Sequence, residues 1–367
     1  MSGPSALPED PVLVRLWRSE FVESQHRGSW CVIDAAGEVM AQGGSIDHPF
    51  FARSSIKSLQ AIPLLEQGAA LAFGMGDEEL SLALASHNAE ECHTSRVAAL
   101  LNRLDLSVDD LQCGAHKPGD SDVSRALVNA GEEPTALHNN CSGKHAGFLT
   151  LSKHLGAPPS EYLAPDGAVQ GLVREAIAAM CGVDPDTLTR GTDGCSAPTY
   201  RIPLRSLGLA FARIVEPSGL SPERRAACEQ MTAAVAANPI LIAGSRGRIC
   251  TELSRVTSGR LFPKIGAEGV YALGDRATGR ALTVKIDDGG KRALHAVVVE
   301  LLKRFEMIND AEARALESWV HRELVNHAGL TVGRTNEGAR ETRSSSSACS
   351  LRTVSYIVQL DQERTPS

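Results

Sequence analysis

Aromatic side chains are scarce, at 4% of 367 residues. The core therefore has to rest on Leu, Val, Ile and Ala. No apolar run approaches the ~20 residues that a membrane-spanning helix needs. Lys and Arg are scattered without a dense run, the net charge is −7 and the pI is about 5.9. A nucleic-acid partner is thus disfavoured on electrostatic grounds. Residues 1–10 hold Pro4, Pro8, Glu9 and Asp10 and have neither a basic start nor an apolar stretch. They do not read as a secretory signal. The nine cysteines are odd in number and dispersed, so reduced thiols or metal ligands are expected rather than disulfides. These absences together point to the cytoplasm.

What is present is ordinary globular composition, with 43% hydrophobic and 22% charged residues. Thirty-three glycines and 18 prolines imply many turns. Residues 12–17, 29–34 and 38–42 carry the β-branched and apolar pattern of strands, punctuated by Gly28 and by 35–37. Residues 54–67 place Ile56, Leu59, Ile62 and Leu65 at helical spacing, with Gly68 as a C-terminal cap and Pro63 implying a kink. Residues 96–106, 143–155, 168–180 and 222–236 also read as helices. Strand patterns return at 269–273 and 280–286, followed by helical patterns at 292–305 and 310–325. The pattern predicts an α+β fold with an antiparallel sheet built from both ends of the chain and a helical middle. One domain is expected over 12–333, with strands in 12–47 and 264–290 and a mostly helical 54–240. The polar tail 336–367, with its run of four serines, reads as disordered. Residues 356–360 retain the pattern of a short edge strand.

Three short motifs carry chemistry. Ser54-Ser55-Ile56-Lys57 is S-x-x-K. Residues three apart share a helix face, so the Lys57 amine can sit beside the Ser54 hydroxyl and act as its base. The alternative is an exposed Ser and Lys on a helix surface. Ser86-His87-Asn88 is S-x-N, whose serine can relay a proton and whose Asn88 can orient a substrate. A capped helix end would look the same. Lys264-Ile265-Gly266 is K-x-G. Its ammonium would hold down the pKa of Lys57, and its glycine would let a substrate approach the backbone. Lys117-Pro118-Gly119 has the same form, so an ordinary turn lysine is the competing reading. In this order the three are the motifs of serine β-lactamases and penicillin-binding proteins.

Two turn-rich patches contain cysteine: Asn140-Cys141-Ser142-Gly143-Lys144-His145 and Gly191-Thr192-Asp193-Gly194-Cys195. Thiolates suit zinc, but two cysteines are half of a four-ligand site. Two buried, inert thiols are the alternative.

With Val284-Lys285-Ile286-Asp287-Asp288-Gly289, these runs resemble the Rhizobium etli-type L-asparaginases over about residues 12–333. The resemblance implies a β-lactamase-like fold, a homodimer, and hydrolysis of L-asparagine to L-aspartate and ammonia. It implies Ser-Lys tandems on Ser54 with Lys57 and on Ser86 with Lys264. It implies zinc on Cys141, Lys144 and Cys195, structural or substrate-positioning in role, and no organic cofactor. Arg53, His145 and Asp193 match positions near the substrate, where Arg53 can pair an α-carboxylate and Asp193 an α-ammonium. Arg248-Ile249-Cys250-Thr251 stands where many members carry Arg-x-Asp-Thr, which marks a subgroup. The rival readings are a related serine hydrolase of β-lactams or peptidyl amides, and a silent zinc-binding scaffold.

Overall fold

The computed structural model describes residues 8–18, 21–320, 323–334 and 356–357. The main sheet is formed by β1 (Val12–Arg18), β2 (Phe21–Ile33), β3 (Val39–Gly43), β7 (Leu261–Ile265), β8 (Val270–Asp275) and β9 (Arg280–Ile286). All of its pairings are antiparallel, in the order β1-β2-β9-β8-β7, with β3 also on β2. Strands from the two ends of the chain meet at β2 and β9, from Gly28 opposite Ile286 to Ile33 opposite Ala281. Gly28 is required there, because a Cβ would stand 2.2 Å from the Lys285 carbonyl oxygen. Tyr356–Ile357 adds a two-residue strand to the outer edge of β1. The rest of the polar tail, 335–355 and 358–367, lies outside the described residues.

Alternation along β2 assigns its two faces. Trp30 packs on Phe305, at the end of the helix Lys291–Arg304, with ring centroids 5.4 Å apart. Cys31 and Ile33 point the other way, against Gly208 of the helix Leu204–Val215, whose absent side chain lets helix and sheet close. The sheet is therefore covered on both faces, which is why every residue of β8 is buried. The α+β architecture and the union of both chain ends in one antiparallel sheet are as the sequence predicts.

Three features differ. The middle segment is mostly helical, as expected, but it also holds two strands that were not expected, β5 (Thr189–Thr192) and β6 (Pro198–Pro203), which join β4 (Pro49–Phe51) in a second sheet, in the order β4-β6-β5. Residues 54–67 are broken into the 3₁₀ turn Arg53–Ile56 and the helices Lys57–Gln60 and Ile62–Glu66, with Pro63 accommodated in the first turn of the last. The helical pattern at 310–325 stops at Val320, and Glu323–Val325 pairs instead with Thr331–Arg334. Leu316, Trp319 and Val320 are buried. The apolar residues beyond them serve a hairpin.

Candidate active site

The site lies where the 3₁₀ turn at 53–56, the segment 85–90, the start of the helix Ser142–His154 and the end of β7 converge. Gly266 explains part of this convergence. A Cβ there would meet the Ala52 carbonyl oxygen at 3.0 Å and the Ser55 amide nitrogen at 3.3 Å. The glycine of K-x-G therefore admits the chain's own S-x-x-K turn, where the sequence reading had assigned it to substrate.

Lys57 and Lys264 are each 1% exposed. The Lys57 Nζ donates to the Ala85 carbonyl at 2.5 Å, to Ser86 Oγ at 3.0 Å and to the Asn140 carbonyl at 3.3 Å. Three acceptors match the three hydrogens of an ammonium. The Lys264 Nζ lies 2.9 Å from the same Ser86 Oγ and 3.1 Å from the Ile265 carbonyl. Burial, and then the neighbouring charge of Lys57, pushes Lys264 well below the ordinary lysine pKa. Burial thus disfavours the charge that the sequence reading had placed on Lys264.

Ser54 is half-buried, and its hydroxyl forms no hydrogen bond among the described residues. Ser86 is 5% exposed and bridges both lysines. The contact expected between Ser86 and Lys264 is present, whereas the Lys57 amine is engaged with Ser86.

Asn88 is tied to the chain rather than free for substrate. Its amide donates to the Arg246 carbonyl, and its Oδ1 accepts from Arg248, which also donates to the Ser86 carbonyl. Arg248 was missed as a site residue. Its signal was a charge beside Ile249 and Cys250, both of which are buried.

Arg53 and Asp193 pair with each other, Nε to Oδ1 at 2.8 Å. Burial raises the Asp193 carboxyl, but Lys144 and Arg53 outweigh it and hold the group below its ordinary value. Arg53 also lines an open cavity of about 370 Å³, together with Phe51, Gly191, Thr192, Thr199, Glu268 and Lys285. His145 is fully buried, with Nδ1 2.7 Å from the Tyr162 hydroxyl. That hydroxyl also accepts from the Gln112 backbone amide at 2.7 Å, and the His145 Nε2 is buried without a hydrogen-bond partner among the described residues. Burial, then Lys144 and Lys57, keeps the ring neutral.

Cys141, Lys144 and Cys195 form one buried cluster. The Lys144 Nζ donates to Cys195 Sγ at 3.1 Å. A hydrogen bond from Cys195, together with the Lys57 and Lys144 charges, overcomes burial and draws Cys141 well below the ordinary thiol pKa, while Cys195 is raised. The Cys141 thiol also donates to Asn140 Oδ1 at 3.0 Å, and the Lys144 amine stands beside the two sulfurs. Two soft sulfur donors and one amine fit zinc. Eight cysteines are free thiols among the described residues.

Backbone strain marks the same region. Of the seven non-glycine residues with positive φ among the described residues, four flank these motifs: Arg53 (53°), Ala89 (63°), Ser196 (68°) and Glu268 (58°). Such conformations persist only where surrounding structure enforces them, as at binding and catalytic sites. The second K-x-G motif has its Lys117 exposed on a loop.

The family model for L-asparaginase II matches residues 14–336. No curated protein matches the chain. Similar solved structures include a β-lactamase from Mycobacterium bovis, 18% identical over 76% of this chain and 94% of that one, TM-score 0.38. A class C β-lactamase from Rhodobacter sphaeroides is 14% identical over 77% and 95%, TM-score 0.39. Unliganded simvastatin synthase from Aspergillus terreus is 12% identical over 80% and 94%, TM-score 0.36.

Proposed function

The chain belongs to the L-asparaginase II family, and we propose that it hydrolyses L-asparagine to L-aspartate and ammonia with Ser54 as nucleophile. The observation that carries the mechanism is the bridge from Lys57 through Ser86 Oγ to Lys264. Ser86 passes its own proton to the neutral Lys264 amine and takes one from Lys57. Its net protonation is unchanged, and Lys57 is left as a free base. Lys57 then accepts the Ser54 hydroxyl proton as Ser54 Oγ bonds to the side-chain carboxamide carbon. The protonated amine returns a proton to the leaving nitrogen, the C–N bond breaks and ammonia departs. Water, deprotonated by the same base, cleaves the aspartyl ester and restores Ser54.

In this reading the zwitterionic end of asparagine opens the Arg53–Asp193 pair. Arg53 takes the α-carboxylate and Asp193 the α-ammonium, beside the buried neutral His145. Cys141, Lys144 and Cys195 would hold zinc, which supplies a fixed positive charge that locks the two turns together. As a ligand, Lys144 would have to be deprotonated. A homodimer in the cytoplasm completes the proposal; among the described residues no helix is long and apolar enough to cross a membrane.

A second reading makes Ser86 the nucleophile, because both lysines contact its hydroxyl. Its burial favours Ser54, the more accessible of the two. Ammonia release from L-asparagine, with L-glutamine alongside, tests the assignment in wild type, Ser54→Ala and Ser86→Ala. Wild-type release confined to asparagine and abolished by Ser54→Ala supports it. Retained turnover in Ser54→Ala overturns it.

A further inference from the structure

Beyond the catalytic cluster, one further group of donors converges: Glu90, Cys92 and His93, whose ligand atoms all lie within 4.8 Å of one another. We propose that these three side chains form a second metal site, for a divalent ion of the zinc class, which pins the segment 86–93 to the loop at 240–245. The inference does not depend on the hydrolysis proposed above.

The geometry of the donors supports it. Cys92 Sγ and His93 Nδ1 are 3.5 Å apart. Zinc–sulfur and zinc–nitrogen bonds of about 2.3 and 2.0–2.1 Å at a tetrahedral angle place two ligand atoms about 3.5 Å apart. The histidine is also held in the right form. Its Nε2 faces the Ile240 carbonyl at 3.3 Å, a contact that fixes the proton on that nitrogen and turns the lone pair of Nδ1 toward Cys92. His93 is fully buried, its ring stacked on His87 at 4.9 Å between centroids. The Glu90 carboxylate is anchored through Oε1 by the Ser245 amide at 2.8 Å, which leaves Oε2 for a ligand. Glu90 and Cys92 are partly exposed, so an ion can enter from solvent and keep a water as fourth ligand.

Charge points the same way. A carboxylate, a thiolate and a neutral imidazole balance a divalent cation. Burial and the Glu90 charge raise the Cys92 thiol pKa, and a bound cation removes both costs. The helix Glu91–Arg103 begins here, and its positive end opposes a cation only weakly beside two anionic donors. The ion would be tied to the site already described, because His87 contacts Ser142 Oγ at 3.0 Å and follows Ser86 in the chain.

The test is titration of the metal-free protein with Co²⁺, read by thiolate-to-metal charge-transfer absorption and by equilibrium dialysis. The partly exposed Cys92→Ser and Glu90→Gln carry the test, because replacing the buried His93 risks misfolding; thermal melting confirms the fold. Cys92→Ser is expected to bind one Co²⁺ fewer per chain than wild type and to lose the single-thiolate part of the absorption. Glu90→Gln is expected to weaken that equivalent at least tenfold. The double variant Cys141→Ser/Cys195→Ser is expected to keep it. Equal stoichiometry and equal absorption in wild type and Cys92→Ser would overturn the proposal.

Discussion

The Nζ atoms of Lys57 and Lys264 meet on one oxygen, Ser86 Oγ, at 3.0 and 2.9 Å. Two amines this close and this buried cannot both carry a charge comfortably, and the depressed pKa falls on Lys264. A proton shared over a serine is what lets a lysine act as base near neutral pH.

Lys264→Met separates the activity of this arrangement from its cost. Removing the relay should lower kcat by about 10²–10⁴-fold. It should also stabilise the protein at pH 7, raising Tm by roughly 2 °C for each kcal/mol recovered. The sign follows from linkage. Below about 10.4 the unfolded lysine binds a proton that the folded one does not, so wild-type stability rises with pH from the lowered pKa up to that value. The Tm advantage of the variant should therefore shrink as pH approaches 10, which melting curves across pH will show.

Asp287 gives a second pH signature. Burial, and then the Asp10 carboxylate, raises its pKa to about 6. A raised carboxyl contributes stability below about pH 4 that is lost as pH climbs through 6. Asp287→Asn should flatten this loss between pH 4 and 6 and be more stable than wild type above it, with denaturant midpoints as the readout.

Arg53 and Asp193 are expected to act on binding. Arg53→Lys and Asp193→Asn should each raise KM for asparagine by about tenfold or more, with kcat changed less, because a charge-assisted hydrogen bond is worth about 1.5–3 kcal/mol. Steady-state kinetics will separate the two constants.

Arg248 should matter for both fold and rate. Its guanidinium is partly buried and satisfies Asn88 Oδ1 and the Ser86 carbonyl. Arg248→Ala leaves those acceptors without a donor and should cost about 2–4 kcal/mol of stability. It should also lower kcat by releasing Ser86. Urea unfolding beside kinetics will show both effects.

Much of this was legible in the sequence, for identifiable reasons. The sheet could be read because alternating apolar residues and glycine turns at both chain ends are local signals. S-x-x-K, S-x-N and K-x-G were visible as motifs, but which amine lies near which hydroxyl depends on tertiary approach. The partnership of Lys57 with Ser86 rests on carbonyls from Ala85 and Asn140 that no spacing rule encodes. The strands at 189–192 and 198–203 were missed because Gly191, Pro198 and Pro203 mask a strand pattern. The 310–325 helix was overextended because an apolar run at Leu316, Trp319 and Val320 does not mark its own end.

The most direct test of the account is to find where the aspartyl group goes. Wild-type protein turning over L-asparagine is quenched in acid, digested and mapped by mass spectrometry. The account predicts an aspartyl ester on the peptide containing Ser54, absent from Ser54→Ala. An ester on Ser86 with Ser54 unmodified would contradict it.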